Sequence, residues 1–122
     1  MTLKGIGDVT LFAPDLEAYW AWLETALGAV LQQRYPHLIQ GQIGTVSVTV
    51  HPADEKSPTG PGGQVVYWAV DDVNEAMQHL ARHGARPYRG PVVGEEGARV
   101  AQLQDPWGNI WGLIEGTKAR GR

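Results

Sequence analysis

Two stretches of the chain have apolar residues at helical spacing, and shorter stretches around them alternate between apolar and polar. The first helix is predicted to begin after Asp15 and to stop at Gly28, since aspartate is a favoured N-cap and glycine a favoured C-terminal residue. Its apolar positions recur every three or four residues: Leu16, Trp20, Leu23 and Leu27.

The second helix is predicted to begin after Asp72 and to end at Gly84. Asp72 and Glu75 stand three residues apart, close to a capping box. The predicted buried stripe consists of Val73, Ala76, Leu80 and His83.

The pattern around the first helix recurs around the second. Val9 and Val66 lie 57 positions apart, and Gly28 and Gly84 lie 56 apart. Each helix follows one short strand and precedes three extended stretches, so the unit is βαβββ, present twice. We therefore predict an α+β fold with these boundaries: module one 1–56, a Pro- and Gly-rich linker 57–63, module two 64–117 and a basic tail 118–122. The glycines are predicted to be turn residues at positions 41, 44, 60, 62 and 63.

Alternation gives each predicted strand two faces, one apolar and one mixed. The apolar face suits burial beneath the helices, and includes Ile110 and Ile114. The mixed face has apolar walls with a few polar groups, which is typical of a small-molecule pocket. The predicted ligand-binding residues are Asp8, Thr10, Phe12, Ser47, Thr49, His51, Tyr67, Gln102, Trp111 and Glu115.

Three motifs carry a resemblance to a known family. They are PDLEAYWAWLETALGA and VDDVNEAMQHLARHGA, which enter the two modules, and DPWGNIWGLIE near the end of the second. Together with the repeat, they resemble the vicinal oxygen chelate superfamily of glyoxalases, bleomycin-resistance proteins and extradiol-type dioxygenases. The resemblance implies that the two modules form a curved mixed sheet with an open cleft. It does not imply one activity, because this fold serves isomerases, dioxygenases, lyases and proteins that only bind.

Metal enzymes of this superfamily take ligands from the first and fourth strands of each module. In this chain those positions fall on Asp8 and Val65, and on Thr49 and Glu115. Valine cannot coordinate a metal and threonine is a poor ligand, so we predict no catalytic metal. If a divalent ion does bind, the resemblance implies Asp8, His51 and Glu115 as its ligands, since residues 49 and 51 share a face.

Two further groups of residues have more than one interpretation. Glu115 is the best candidate for a catalytic residue, although an acid at a strand end is equally often solvated or paired with an arginine. His79 and His83 are spaced for a shared metal on the second helix, but no third ligand is evident and His83 belongs to the packing stripe.

Composition narrows the class of protein. The chain has 122 residues, 43% of them hydrophobic, which suits one globular domain. It has no cysteine, which excludes thiolate chemistry. Its net charge of −3 argues against a nucleic-acid partner. We expect a cytoplasmic protein without a membrane segment or signal peptide.

The sequence is compatible with three functions. The first is a protein that binds a small, planar or partly apolar molecule without a catalytic metal. The alternative is a metal-dependent lyase, isomerase or dioxygenase acting on vicinal oxygens, in which the metal would be a Lewis acid. The third is a regulatory module with a vestigial site. A homodimer is expected for each, since sheet edges and an open cleft need covering.

Overall fold

A computed structural model describes residues 1–116 of the chain. The predicted tail, 118–122, and the last residue of predicted module two lie outside the described residues. The chain forms two compact units, Met1–Thr59 and a second that begins at Gly60. The predicted linker, residues 57–63, contains this boundary.

Within residues 1–116, each unit has one helix and four strands, in the order that the sequence predicts. The first unit contains β1 (Val9–Ala13), α1 (Leu16–Leu27), β2 (Val30–Tyr35), β3 (Leu38–Ile43) and β4 (Val46–Pro52). The second contains β5 (Tyr67–Ala69), α2 (Val73–Arg82), β6 (Arg86–Val93), β7 (Arg99–Gln104) and β8 (Ile110–Glu115).

Both units arrange their strands in the same order. The sheets run β1-β4-β3-β2 and β5-β8-β7-β6. The first strand of each unit is parallel to the last, and the other neighbours are antiparallel. The parallel pair requires a crossover, which the helix supplies in each unit. The prediction of an α+β fold with two βαβββ modules is confirmed.

Both helices begin at the predicted capping residues, but only α1 ends at its predicted glycine: α2 ends at Arg82 and its C-cap is His83, one residue before the predicted Gly84. The Asp15 carboxylate accepts a hydrogen bond from the Ala18 backbone N–H at 3.0 Å, and Asp72 accepts one from Glu75 N–H at 3.0 Å. Gly28 closes α1 in the left-handed conformation, with φ 69°. Each carboxylate satisfies a backbone donor that has no partner within its helix, a contribution of about 1 kcal/mol per cap.

In the first unit, α1 covers the apolar face of the sheet. Tyr19, Trp20 and Leu23 of the helix are at most 1% exposed, as are Val48 and Val50 of β4. Burial of each such side chain contributes about 1.5–3 kcal/mol. On the surface beside this core, the Arg34 guanidinium donates to the Glu17 carboxylate at 2.9 and 3.1 Å. That carboxylate raises the pKa of Arg34.

Gly41 corrects one sequence prediction, because it is a core position of β3 and not a turn residue. A β-carbon at this position would collide with the Val30 carbonyl oxygen and would stand 2.5 Å from Cη2 of Trp20. Only glycine lets the helix bring this indole ring so close to the sheet.

In the second unit, α2 covers a face that includes part of β8. Leu103, Ala101, Leu113 and Trp111 on this face are between 0 and 4% exposed. The register pairs Leu103 with Trp111 and Ala101 with Leu113, which places them on one side. The sequence prediction for β8 had assigned the opposite face to burial and is wrong: Ile110 and Ile114 lie on the face that the helix leaves open, together with Gln102 and Tyr67.

Candidate functional site

A polar cluster occupies the open face of the first unit, and we call its residues Asp8, Thr10, Ser47 and Thr49 the Asp8 cluster. Oδ1 of Asp8 accepts hydrogen bonds from the Ser47 hydroxyl at 2.7 Å and from the Thr49 hydroxyl at 3.0 Å. Oδ2 accepts one from the Thr10 hydroxyl at 2.7 Å. Strand pairing brings these groups together, since Thr10 lies opposite Thr49 in the parallel β1–β4 ladder. Both carboxylate oxygens are therefore engaged by the protein's own hydroxyl groups.

Phe12 and His51 lie further along the same face, as their strands predict. Their rings pack edge to face with centroids 5.7 Å apart. The residue spacing of a strand puts His51 roughly 7 Å beyond Thr49. Its Nδ1 lies 3.0 Å from the carbonyl oxygen of Pro52, which can only accept a hydrogen bond. The imidazole is thus held at the end of β4 by Pro52 and Phe12.

Two glutamines of β3 extend this face and were missing from the predicted site. Gln40 lies opposite Thr49, and Gln42 lies opposite Ser47. The alternation within LIQGQI carries their signal, because Ile39, Gly41 and Ile43 are buried and the intervening glutamines must point the other way.

Strand pairing also shows which residue of the second unit corresponds to Thr49. In the first unit Thr10 pairs with Thr49, and in the second Tyr67 pairs with Gly112. Thr10 and Tyr67 are 57 positions apart, which is the repeat offset. The equivalent of Thr49 is therefore Gly112, three residues before Glu115. The sequence prediction that Glu115 is the counterpart of Thr49 is therefore wrong.

Around Gly112 the polar cluster is replaced by apolar groups. A β-carbon on Gly112 would stand 2.8 Å from Cδ1 of Tyr67, 2.9 Å from Cγ1 of Val65 and 2.8 Å from the Val66 carbonyl oxygen. Val65 is the repeat equivalent of Asp8. The absent side chain makes the space into which the phenol ring and the valine methyl groups pack.

Beside this ring the open face of the second sheet forms a depression of about 380 Å³, which we call the aromatic concavity. Its lining residues are Tyr67, Tyr88, Arg89, Gly90, Val92, Val100, Ala101 and Gln102. The side chain of Gln102 donates from Nε2 to the hydroxyl oxygen of Tyr67 at 2.8 Å. Tyr67 and Gln102 were predicted site residues, and here they are in direct contact.

Tyr88, Arg89 and Val92 were not predicted as site residues. They lie on β6, whose pairing with β7 shifts register between Pro87 and Arg89 and again between Arg89 and Val92. Bulges of this kind interrupt the period of two and redirect side chains, so alternation alone cannot assign the faces of β6.

Glu115 lies on the helix side of its sheet and supports α2. Its Oε1 accepts a hydrogen bond from the backbone N–H of Val73, the first residue of the helix, at 2.8 Å. Nη1 of Arg99 lies 3.6 Å from the same oxygen, and Nη2 of Arg99 donates to Asn74 at 3.3 Å. A carboxylate at a helix N-terminus is favoured by the helix dipole. The predicted open-face position of Glu115 is therefore wrong, and its predicted catalytic role has no support from this placement.

Trp111 also lies on the helix side and is only 3% exposed. Its indole N–H donates to Oδ2 of Asp105 at 2.9 Å. Oδ1 of the same buried carboxylate accepts from the backbone N–H groups of Trp107 and Asn109, at 2.9 and 3.0 Å. The DPWGN segment is thus a turn organised around Asp105, and Trp111 is one of its anchors. Its predicted place on the open face is wrong.

The metal-ligand positions implied by the family resemblance do not fit a metal in this chain. At the four strand positions stand Asp8, Val65, Thr49 and Gly112, and only one of them has a carboxylate. That carboxylate already accepts three hydroxyl donors. Within residues 1–116 there is no group of three or more His, Cys, Asp or Glu side chains arranged to hold one ion. The predicted alternative set of Asp8, His51 and Glu115 therefore does not form such a group. The rings of His79 and His83 lie 4.8 Å apart, but this pair has no third ligand among the described residues.

The architecture and the open faces define a two-module α+β protein in which the same scaffold occurs twice and carries two different surfaces. A family model matches residues 5–113, that of the Glyoxalase/Bleomycin resistance protein/Dioxygenase superfamily. The chain belongs to this superfamily, as the sequence motifs predict.

Solved structures with the same fold come from proteins of several kinds. A glyoxalase/bleomycin resistance protein/dioxygenase family enzyme from Burkholderia phytofirmans PsJN superposes with a TM-score of 0.76 at 18% identity, over 89% of this chain and 96% of its own. The fosfomycin resistance protein FosX from Mesorhizobium loti gives 0.73 at 18% identity, over 98% of both chains. Lactoylglutathione lyase from Agrobacterium tumefaciens gives 0.73 at 22% identity, over 100% of both chains. At these identities the similarity establishes the fold alone. No curated protein matches the chain.

Among the described residues, neither helix has the length and apolar character needed to cross a membrane.

Proposed function

We propose that this protein binds a small, planar, partly apolar molecule in the aromatic concavity of its second unit, without a catalytic metal. The observation that carries this proposal is the replacement of the Asp8 cluster by Val65, Tyr67 and Gly112 at equivalent positions. Removal of one side chain makes room for an aromatic ring, and that ring forms a wall of the concavity.

The lining of the aromatic concavity supports a ligand of this class. Two tyrosines and two valines supply apolar contact area, while Arg89 and Gln102 supply polar groups. Tyr67 and Tyr88 are 40% and 46% exposed, so a flat molecule has aromatic surface to pack against. Small-molecule sites combine such apolar walls with a few polar groups that fix orientation.

The proposal also accounts for the poor fit of the ligand positions to a metal. A binding protein needs burial and stacking only, so the substitution of Val65 and Gly112 at two of these positions costs it nothing. The metal-dependent lyase, isomerase or dioxygenase remains the alternative. The fosfomycin resistance protein and the lactoylglutathione lyase among the structural neighbours share the fold with this chain, and they do not distinguish the two functions.

The test measures binding of planar aromatic compounds to chelator-treated protein by isothermal titration calorimetry, with elemental analysis of the same sample. We expect binding by metal-free protein and loss of binding in Tyr67→Ala. The matched control is Tyr35→Ala, which removes a 51% exposed tyrosine from β2 of the first unit and should bind as wild type does.

Two results would change the conclusion. If no compound binds until Ni²⁺, Zn²⁺, Mn²⁺ or Fe²⁺ is added, the metal-dependent alternative is favoured. If Tyr67→Ala and Tyr35→Ala bind equally well, the ligand site is elsewhere.

We further propose a homodimer, because each unit has exposed apolar residues on its outer strand, such as Val30 and Val93. Light scattering of the purified protein tests this.

A further inference from the structure

The aromatic concavity has one charge, and it is positive. Of the described residues that line it, Arg89 is the only ionised one, and none is acidic. Arg89 lies directly opposite Gln102 in the β6–β7 ladder, so its guanidinium group belongs to the part of the wall where Gln102 contacts Tyr67.

Arg89 also differs from the two nearby arginines, because its side-chain N–H donors have no partner within residues 1–116. Arg86, on the same strand, donates to the side chain of Gln104 at 3.2 Å. Arg99, on the next strand, contacts Asn74 and Glu115. Within residues 1–116 the Arg89 side chain has neither a hydrogen bond nor an ion pair. Its five N–H donors are therefore free for a ligand.

The hydrogen bond between Gln102 and Tyr67 adds a second donor to the same wall. Because Nε2 of Gln102 donates to the Tyr67 oxygen, the phenol proton is left to donate to something else. A tyrosine hydroxyl both accepts and donates. The wall thus presents a guanidinium fork and a phenol O–H, which suits a group that accepts hydrogen bonds and carries negative charge.

We propose that the ligand of the aromatic concavity is a small planar anion, of the class of aromatic carboxylates, whose charged group is bound by Arg89 and Tyr67. This inference rests on the proposed function, and it specifies the chemical class of the ligand. Aromatic rings of the ligand pack against Tyr67 and Tyr88, while the carboxylate takes the guanidinium fork. The net charge of the whole chain is −3, so general electrostatic attraction does not favour an anion. Anion preference would therefore report the local positive charge.

The test compares two probes of the same shape, 2-naphthoate and 2-naphthamide, by isothermal titration calorimetry at pH 7.5. Wild-type protein should bind the carboxylate about tenfold more tightly than the amide, the typical gain from a charge-assisted hydrogen-bonded pair. Arg89→Gln should remove this difference, so that the variant binds the two probes with affinities equal to within about twofold. The control is Arg86→Gln, which removes a positive charge from the same strand outside the concavity and should retain the tenfold preference.

A second variant tests the inference by adding a negative charge to the concavity instead of removing the positive one. Gln102→Glu places a carboxylate next to Tyr67 and opposite Arg89, where it competes for the phenol proton and the guanidinium and repels an anion, and it should abolish or reverse the preference for 2-naphthoate over 2-naphthamide. Circular dichroism and a urea unfolding curve for each variant separate lost binding from lost folding.

The outcomes separate this inference from the proposed function. Equal affinity of wild type for the two probes, or a preference for 2-naphthoate that persists in Arg89→Gln, overturns the anion inference while the binding function stands. If neither probe binds at millimolar concentration, both are overturned. A preference lost in Arg86→Gln as well as in Arg89→Gln would show a general charge effect, and it would also overturn the specific role of Arg89.

Discussion

The two units of this protein share a scaffold and differ on the face of the sheet that their helices leave open. In the first unit that face carries Asp8 bound by three hydroxyl groups. In the second, the equivalent positions carry Val65, Tyr67 and Gly112, and the side chains of Val65 and Tyr67 pack against Gly112. The charged group of the first surface is hydrogen-bonded within the unit. The second surface exposes tyrosine rings and Arg89, whose side chain makes no hydrogen bond or ion pair within residues 1–116.

This difference separates what the repeat must preserve from what it can change. Helix caps, strand order and the buried face recur in both units, because each unit must bury an apolar face and satisfy its helix ends. The open face is not buried beneath a helix, so its residues can differ between the two units without loss of the shared scaffold.

The largest expected effect tests the buried side of this comparison. Gly41→Ala should lower the free energy of unfolding by about 3 kcal/mol, because the new methyl group meets the Val30 carbonyl oxygen and the ring of Trp20, which is only 1% exposed. Urea denaturation measures the loss. The control is Gly62→Ala, which meets no atom within 4 Å and should change stability by less than about 0.5 kcal/mol. A stable Gly41→Ala variant would contradict the tight approach of α1 to its sheet.

The next effect concerns the open side of the second unit. Gly112→Ala should cost about 1–2 kcal/mol, since its methyl group presses on the Val66 backbone and also on a Tyr67 ring that is 40% exposed and can swing outward. We also expect weaker binding of planar probes, because the displaced ring is a wall of the concavity. Calorimetry of binding and urea denaturation, done on the same preparation, would show whether the binding defect exceeds the stability defect. Unchanged affinity would remove Tyr67 from the site.

A smaller effect is expected from the strand-end acid. Glu115→Ala should cost about 1 kcal/mol, because the Val73 N–H at the start of α2 loses its acceptor and Arg99 loses its ion pair. Glu115→Gln, which retains an acceptor oxygen, should recover part of the loss. The control is Glu95→Ala in the exposed β6–β7 turn, and the measurement is thermal unfolding at matched ionic strength. An unaffected Glu115→Ala variant would mean that Asp72 caps the helix sufficiently by itself.

The smallest effect is expected from the Asp8 cluster. Asp8→Ala should cost somewhat less than about 1 kcal/mol, because Asp8 is exposed and water can replace it as the partner of Ser47, Thr49 and Thr10. Glu55→Ala, at an exposed acid without these contacts, is the reference in the same urea titration. A loss of several kcal/mol would show that the Asp8 cluster holds β1 to β4, and would make it a structural feature instead of an independent surface.

The sequence by itself determined the parts of this protein that depend on neighbouring residues. The helical spacing of apolar residues located both helices, Asp15 and Asp72 fixed where they begin, and strict alternation in β4 assigned Ser47, Thr49 and His51 to one face. Each of these follows from interactions within a few positions along the chain, which the order of residues records directly.

Only the tertiary structure decided the faces of β8 and β6. In β8 both faces are apolar and Gly112 has no side chain, so the hydrophobic pattern could not choose between Trp111 and Ile110. In β6 two bulges interrupt the alternation, which hid Tyr88 and Arg89. Glu115 finds its partner at Val73, 42 positions away in the chain. Strand register and helix docking are contacts between distant segments, and they decide where a side chain points when the local pattern allows both directions.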